Sequence, residues 1–562
     1  MKGDIQMKKI SIINLESTNR GNYKEACAHA FEELEIESLL KIKPQYISGK
    51  MTRFKAIDFF VADLQTIHHR LDVFEDLLEF DEIHQLMVDI LPIISSLREI
   101  SQRREEPYKF IEYLYCIRDV QLYIDCISKL YATFSNWENQ LKSKGLKTFT
   151  CYIKNIFEGK EFQNIKRNLQ KMDFRNQLTR SITVGINLDL DTNDEIIDDV
   201  GILSFNDYRI KSGKSLIDRA RRGTNQGSNP DESNRFIAPI GSEFKRRVGM
   251  TESKEDVRSL TPTESIFADM KPHQKEMLSV TFKKAINTVL KKTLKDLELE
   301  VSDYVKMNTA FLADLLPEFC FLIAGVSFIN ELGEKKLTLC KPQVSKNSFS
   351  QIKGLKNPHL LTTLTNEEIQ GNDVSFDETG MIYVLTGANS GGKSVFLQSI
   401  GIAQALFQLG LYIPATEAIL SPSEHICVHF PSKVAIEVDG GRLEQECKMV
   451  GKILKEVSKT SFVLMDETFS STSAYDASIL AESMLKHLAS IGCKGIFSTH
   501  IHSLGKAIDE INESETRSSK VQGLIAVTES GTRSYRIEVG RSEGHSHAKD
   551  IAKKYGLVFD VD

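Results

Sequence analysis

One stretch, Thr386–Ser394 (TGANSGGKS), constrains this chain more than any other. It follows the apolar run Met381–Leu385 and precedes Val395–Leu406, whose apolar residues recur at helical spacing. A strand, a glycine-rich turn and a helix start, in that order, are the setting of a phosphate-binding loop. Gly387 and Gly392 bracket four residues and are followed by Lys393 and Ser394. Backbone N–H groups in such a turn converge on phosphate oxygens, and the helix N-terminus adds the positive end of its dipole. Gly387, Asn389, Gly391 and Gly392 are thus expected to line a cradle. Lys393 would reach the outer phosphates, and the Ser394 hydroxyl would ligate Mg²⁺.

At 562 residues the chain is too long for one core, and about two to four domains are expected. A hydrophobic content of 41% and a charged content of 26% are ordinary for a soluble globular protein. The net charge of −6 excludes a nucleic-acid polycation, so any such binding must come from local patches. The nine cysteines include no C-x-x-C pair, which points to scattered reduced thiols of a cytoplasmic protein rather than a disulfide scaffold or zinc site. The N-terminus lacks the apolar core of a signal peptide. The most apolar stretch, Phe311–Leu332, is interrupted by Asp314, Pro317 and Glu318, and no bilayer span is expected.

Along the chain, Ala56–Ile100 is helical by pattern: Leu64, Ile67, Leu71, Phe74 and Leu78 fall three and four apart. Pro107–Leu141 continues in that style. Lys142–Arg180 then carries ten Lys and Arg against three Asp and Glu, interleaved with Phe149, Tyr152, Phe157 and Phe162. Strict alternation of Ile182, Val184, Ile186 and Leu188 predicts a half-buried strand, with Ile196–Phe205 its hairpin partner. Arg219–Leu260 is polar and aperiodic, a linker or loop with basic clusters at Arg219, Arg221 and Arg222 and at Lys245, Arg246 and Arg247. Helical periodicity returns over Thr263–Leu316, and from about Leu337 the pattern becomes β and then α/β.

A second acidic motif complements the loop. Ser461–Glu467 (SFVLMDE) reads as a buried strand ending in two carboxylates. Asp466 is placed to hold the Mg²⁺ shell, and Glu467 to orient or deprotonate an attacking water. Ile496–His500 (IFSTH) is another apolar strand whose terminal histidine could touch the γ-phosphate. Between them the hydroxyl-rich Thr468–Asp476 leads into the helical Ala477–Leu488.

TGANSGGKS, VLMDETFSSTSAYD and FSTH, in that order and spacing, resemble the MutS family of ABC-class ATPases. Lys393 and Asp466 lie about 73 residues apart, a compact separation. ABC transporter subunits insert a larger helical subdomain there, and SMC-type proteins a long coiled coil. Gly410–Pro422 and Gly544–Leu557 also look like the MutS pattern, as does Ile67–Leu78 for the start of the core domain. Arg180–Asp189 resembles a strand region of the second bacterial branch, the one not devoted to mismatch repair.

The resemblance implies ATP and Mg²⁺ as cofactors, a homodimer, and a signature segment that closes each ATP from the partner subunit. The matching stretch is Val438–Glu446 (VDGGRLEQE), in which Gly441 stands where the family has a serine. Gly440 and Gly441 would instead offer backbone N–H groups at a helix start. Ser471, Thr472 and Ser473 match the dimer-facing loop. No N-terminal mismatch-reading domain or C-terminal nuclease-like domain is expected.

The expected architecture is multidomain. An α-helical core and lever domain (1–141) carries a basic, clamp-like insertion with a β-hairpin (142–262). Returning lever helices (263–336) lead to an α/β P-loop ATPase domain of ABC type (337–562). Catalysis is assigned to Lys393, Glu467 and His500, phosphate binding to Gly387, Asn389, Gly391, Gly392, Lys393 and Ser394 with Gly440 and Gly441, and metal binding to Ser394 and Asp466. The basic segment would grip DNA phosphates without reading sequence, with an affinity that falls steeply with salt. Its aromatics are expected in the core. Expected function is ATP-dependent DNA binding in mismatch repair or related repair and recombination. A ribosome quality-control ATPase and a structural DNA tether are the alternatives.

Overall fold

The computed structural model describes residues 10–15, 23–42, 54–101, 110–171, 181–188, 197–206, 310–387, 391–430, 441–501, 504–514, 517–529 and 532–541. By contacts the chain forms two compact units, one of Met1–Arg98, Cys126–Ile156 and Phe311–Asp562, the other of Glu99–Asp125 and Phe157–Ala310.

Seven helices come first among the described residues: α1 (Tyr23–Glu33), α2 (Ile36–Leu39), α3 (Leu64–Glu79), α4 (Asp81–Ser101), α5 (Phe110–Trp137), α6 (Lys144–Glu158) and α7 (Lys160–Lys171). The periodic run predicted over Ala56–Ile100 breaks at both ends of α3. Asp63 caps its start by accepting the Thr66 N–H at 2.8 Å, and Phe80 leaves helical geometry at its end. Asp76, fully buried in α3, accepts the backbone N–H groups of Lys142 (2.9 Å) and Ser143 (2.7 Å), fixing the entry to α6. Phe149 and Phe162 of the basic segment belong to the cores, as expected, while Tyr152 and Phe157 are half-buried. Phe149 packs edge-on against Phe134 and Phe319, and Phe162 against Tyr123.

In the second unit, β1 (Ser181–Leu188) and β2 (Ile197–Asn206) pair antiparallel from Ser181↔Asn206 to Leu188↔Ile197. This is the hairpin read from the alternation. Both basic clusters, around Arg221 and Arg246, lie outside the described residues, as does the helical pattern over 263–309.

The helix α8 (Ala310–Glu334) runs unbroken through Pro317. It is long and apolar enough to cross a membrane by length and composition, yet 83% of its apolar window is buried inside the protein. Its Phe321 stacks on Phe59 and meets Phe74 edge-on. Its Glu318, which interrupts the apolar pattern, accepts hydrogen bonds from Ser11 Oγ (2.6 Å) and the Ile12 N–H (2.8 Å). The interruption in the apolar pattern is thus a latch for residues 11–14.

Downstream lie β3 (Gln343–Val344), β4 (Ser350–Leu355), β5 (Asn372–Phe376), β6 (Ile382–Thr386), α9 (Lys393–Leu409), β7 (Glu417–Leu420) and β8 (His425–His429). They are followed by α10 (Arg442–Glu456), β9 (Ser461–Asp466), α11 (Ala474–Ile491), β10 (Lys494–Ser498), α12 (Leu504–Glu513), β11 (Val521–Glu529) and β12 (Thr532–Val539). A six-stranded sheet has the order β12-β11-β6-β10-β9-β8, parallel except at β12. A four-stranded sheet, β3-β7-β4-β5, accompanies it. Every residue of β6, β9 and β10 is buried, as continuous apolar strands covered on both faces must be. On one face Ile382, Val384, Val463 and Met465 pack with Ala481, Leu485 and Ile508 of α11 and α12. From the opposite pleat Tyr383 and Phe462 meet Phe376 of the smaller sheet. Helical segments are therefore followed by a mixed α/β region, as the composition shift near Leu337 implied.

Candidate nucleotide site

Parallel strands end together, so whatever follows each strand shares one edge. β6 ends at Thr386 and turns through Gly387, whose φ is +139°. A side chain there would also strike Ala526 Cβ at 2.7 Å. Gly392, at φ +91°, is the N-cap of α9. Both glycines that bracket the motif therefore hold backbone conformations that side chains resist. Ala388, Asn389 and Ser390 lie outside the described residues.

Lys393, 4% exposed, donates from Nζ to the Gly387 carbonyl at 3.0 Å, so its ammonium lies within the turn. Burial lowers its pKa, while the nearby charges of Glu467 and Asp466 push it up. The lysine and the acidic pair, remote in sequence, thus feel one another. They meet because β10 lies between β6 and β9, with Ser498 opposite both Leu385 and Asp466. Ser394 is exposed at the first turn of α9.

Asp466 is 2% exposed, and among the described residues its Oδ1 has no hydrogen-bond partner, nor does the neighbouring Ser498 Oγ. Buried polar atoms seldom stay unsatisfied. An orphaned carboxylate oxygen beside a phosphate loop fits Mg²⁺, which takes one or two protein oxygens and otherwise water and substrate phosphates. No cluster of three or more His, Cys, Asp or Glu exists among the described residues, so an all-protein cage is not what the side chains suggest. Glu467 follows at φ +45°, its N–H donating to the Ser498 carbonyl at 2.9 Å. His500 is exposed just beyond β10.

Gly441 caps α10 and is exposed, with no atom of the described residues within 4 Å of where a Cβ would stand. Gly440 lies outside the described residues. Ser471 Oγ donates to Glu446 Oε2 of α10 at 2.8 Å, and Ser473 caps α11.

Three neighbours of the site are not legible in the sequence. His429, at the end of β8, shares a 2.8 Å hydrogen bond with Thr468 Oγ1. Burial lowers its pKa, the charge of Glu446 opposing. Tyr535 of β12 holds φ +55° with its ring against Gly392. Thr468 itself reads only as part of a β–α loop. None of the three has a local pattern that marks it; strand register alone brings them to this edge.

Sheet order, glycine turn and acidic strand end together define an α/β domain of the phosphate-loop class. Comparisons with known proteins narrow the class. A family profile described as MutS domain V matches residues 383–557, and one described as the MutS2 N-terminal domain matches residues 62–196. A protein named endonuclease MutS2, from Caldanaerobacter subterraneus, is 22% identical over 94% of this chain and 62% of its own length. DNA mismatch repair protein MutS of Prochlorococcus marinus is 29% identical over 39% of this chain and 23% of its own length in one strain. In another strain the figures are 30%, 41% and 27%. The chain belongs to the MutS family. It spans about a quarter of the MutS relatives' length and 62% of the MutS2 relative's.

Proposed function

We propose that this chain is an ATPase of the MutS type whose nucleotide state governs a grip on DNA. The observation that carries this reading is the gathering of Lys393, Asp466, Glu467 and Ser498 at one edge of a parallel sheet. Lys393 would exchange its contact with the Gly387 carbonyl for a phosphate oxygen. Ser394 and Asp466 would hold Mg²⁺, which when bound neutralises charge on the phosphates. Glu467 would orient the attacking water and take its proton. His500 would meet the γ-phosphate, and the exposed ring of Tyr535 offers a surface for a nucleobase beside the loop. Each ATP would be closed by a second copy of the chain through the Gly440–Gly441 segment and Ser471–Ser473.

DNA would be held by the basic segment 142–262, whose exposed Lys144, Lys147 and Lys160 suit phosphate contact. The relatives' names support mismatch repair or a related repair process.

Lys393→Ala should abolish ATP binding. Glu467→Ala should bind ATP and fail to turn it over, with a loss of about 10²-fold or more expected for a general base. Unchanged ATP affinity in the first variant, or wild-type turnover in the second, refutes the assignment. Salt-dependent binding to homoduplex, mismatched and branched DNA, compared with ribosomes, then separates repair from translation roles.

A further inference from the structure

The turn that carries Glu467 is held in an unfavourable shape. Glu467 (φ +45°) and Phe469 (φ +68°) both occupy the left-handed region without being glycine. Such backbone persists only where its surroundings over-determine it. Two clamps are visible, one from each neighbouring strand. On the β10 side the Glu467 N–H donates to the Ser498 carbonyl at 2.9 Å. On the β8 side the residue between the two left-handed positions, Thr468, is bonded through Oγ1 to His429 Nδ1 at 2.8 Å. Thr468 is 1% exposed and His429 5%, so no solvent stands ready to replace that bond. His429 pairs in register with Met465, one residue before Asp466, which sets its ring beside the start of the turn.

We propose that His429 is the positioning residue for Glu467: through Thr468 it fixes the Glu467–Phe469 turn and thereby the aim of the water-activating carboxylate. The proposal rests on the reading of Glu467 given above. His429 touches no reacting atom; it acts by holding Thr468. Without it the turn loses its side-chain tie to β8, and the backbone at Glu467 and Phe469 is freer to relax toward ordinary dihedrals, carrying the Glu467 carboxylate with it. Misplacement of a catalytic group by about 1 Å costs on the order of 10²-fold in rate.

The test is steady-state ATP hydrolysis and equilibrium nucleotide binding by the full chain carrying His429→Ala, His429→Asn, Thr468→Val, Thr468→Ser or the Ala/Val pair. Lost positioning lowers kcat by about 10- to 100-fold while KM and nucleotide affinity stay within about twofold. Thr468→Val should fall as far as His429→Ala, and the pair no further, because both remove one hydrogen bond. Thr468→Ser, which keeps the hydroxyl, should retain turnover, and His429→Asn should restore part of it. Should His429→Ala fail to fold, the near-isosteric Thr468→Val decides the matter. Wild-type kcat in Thr468→Val, additive losses in the pair, or equal losses of affinity and kcat overturn the positioning role alone. A wild-type chain that binds ATP but never cleaves it overturns the reading of Glu467, and the positioning role with it.

Discussion

Lys494 begins β10 and is 4% exposed, with no carboxylate partner among the described residues. Its Nζ donates to Ser421 Oγ (2.7 Å), Ser350 Oγ (3.2 Å) and the Ser421 carbonyl (3.3 Å), tying the six-stranded sheet to the smaller one. Burial without a counter-charge brings its pKa down to about 7. In the unfolded chain the same amine titrates at about 10.4. Between these values the unfolded state holds a proton that the native state lacks, so stability rises with pH. Below the native value both states are protonated and the burial penalty is fully felt. Each pH step of one in that window is worth about 1.4 kcal/mol, less near pH 7 where the native amine is half protonated, so the linkage from pH 7 to pH 9 amounts to about 2 kcal/mol.

Lys494→Met isolates this effect. The side chain keeps similar bulk, Ser350 and Ser421 keep one another at 3.2 Å, and the Ser421 carbonyl keeps Gln404 Nε2 at 3.0 Å. No buried polar group is orphaned. Urea unfolding of wild type and variant at both pH values, followed by far-UV circular dichroism, gives the difference between them, from which other titrations cancel. The difference should move by about 2 kcal/mol in favour of wild type on going from pH 7 to pH 9. A difference that stays constant refutes the argument, because Lys494 would then carry its charge throughout that range.

Other expectations are local. Glu318→Gln keeps one oxygen for the N–H groups of Ile12 and Ile13 but loses the charge and the second acceptor, which serves Ser11 and Asn14, and should loosen residues 11–14 at a cost of about 1–3 kcal/mol; faster proteolysis near Ile12 is the readout. Gly441→Ser meets open space at an ordinary φ of −68° and should leave the melting temperature within about 2 °C of wild type, since Gly and Ser differ little as N-caps. Gly410→Ala puts a methyl group 2.3 Å from Arg70 Cβ and should destabilise by about 1–3 kcal/mol, measured by thermal melting.

What the sequence disclosed, and what it hid, divides by distance along the chain. The phosphate loop was legible because its constraints are local: Gly387 and Gly392 hold backbone that few residues adopt, with Lys393 and Ser394 next in line. The strand ending in Asp466 and Glu467 was legible for the same reason, its apolar run being buried throughout. Glu318 was legible only as a charge within an apolar run; its role as a latch appears once its partners, some 305 residues earlier, are in view. His429 was invisible for an equivalent reason. A histidine at a strand end gains meaning only when the parallel register sets β8 beside β9. Nothing local marks Lys494, which the second sheet alone makes a buried tie.

The helix that presents Lys393 is also the route by which the loop can act on the helical segments. α9 has 17 residues, a span of about 25 Å, and is buried from Ser399 to Leu409. Its far end is fixed. Gln408 Nε2 donates to the Val61 carbonyl at 2.9 Å, just ahead of α3, and the turn at Gly410 lies against the stem of Arg70 in α3. Arg70, 1% exposed, in turn donates to the Ile13 carbonyl (3.1 Å), to Asn14 Oδ1 (2.8 Å) and to the Phe59 carbonyl. Glu318 of α8 holds the same short strap from the other side. Interiors this closely packed leave little room for side chains alone to absorb a shift, so a displacement of the loop would be passed on to α3 and α8. Under the proposed function, phosphate held at one end of α9 would therefore be felt in the packing of α3 at the other.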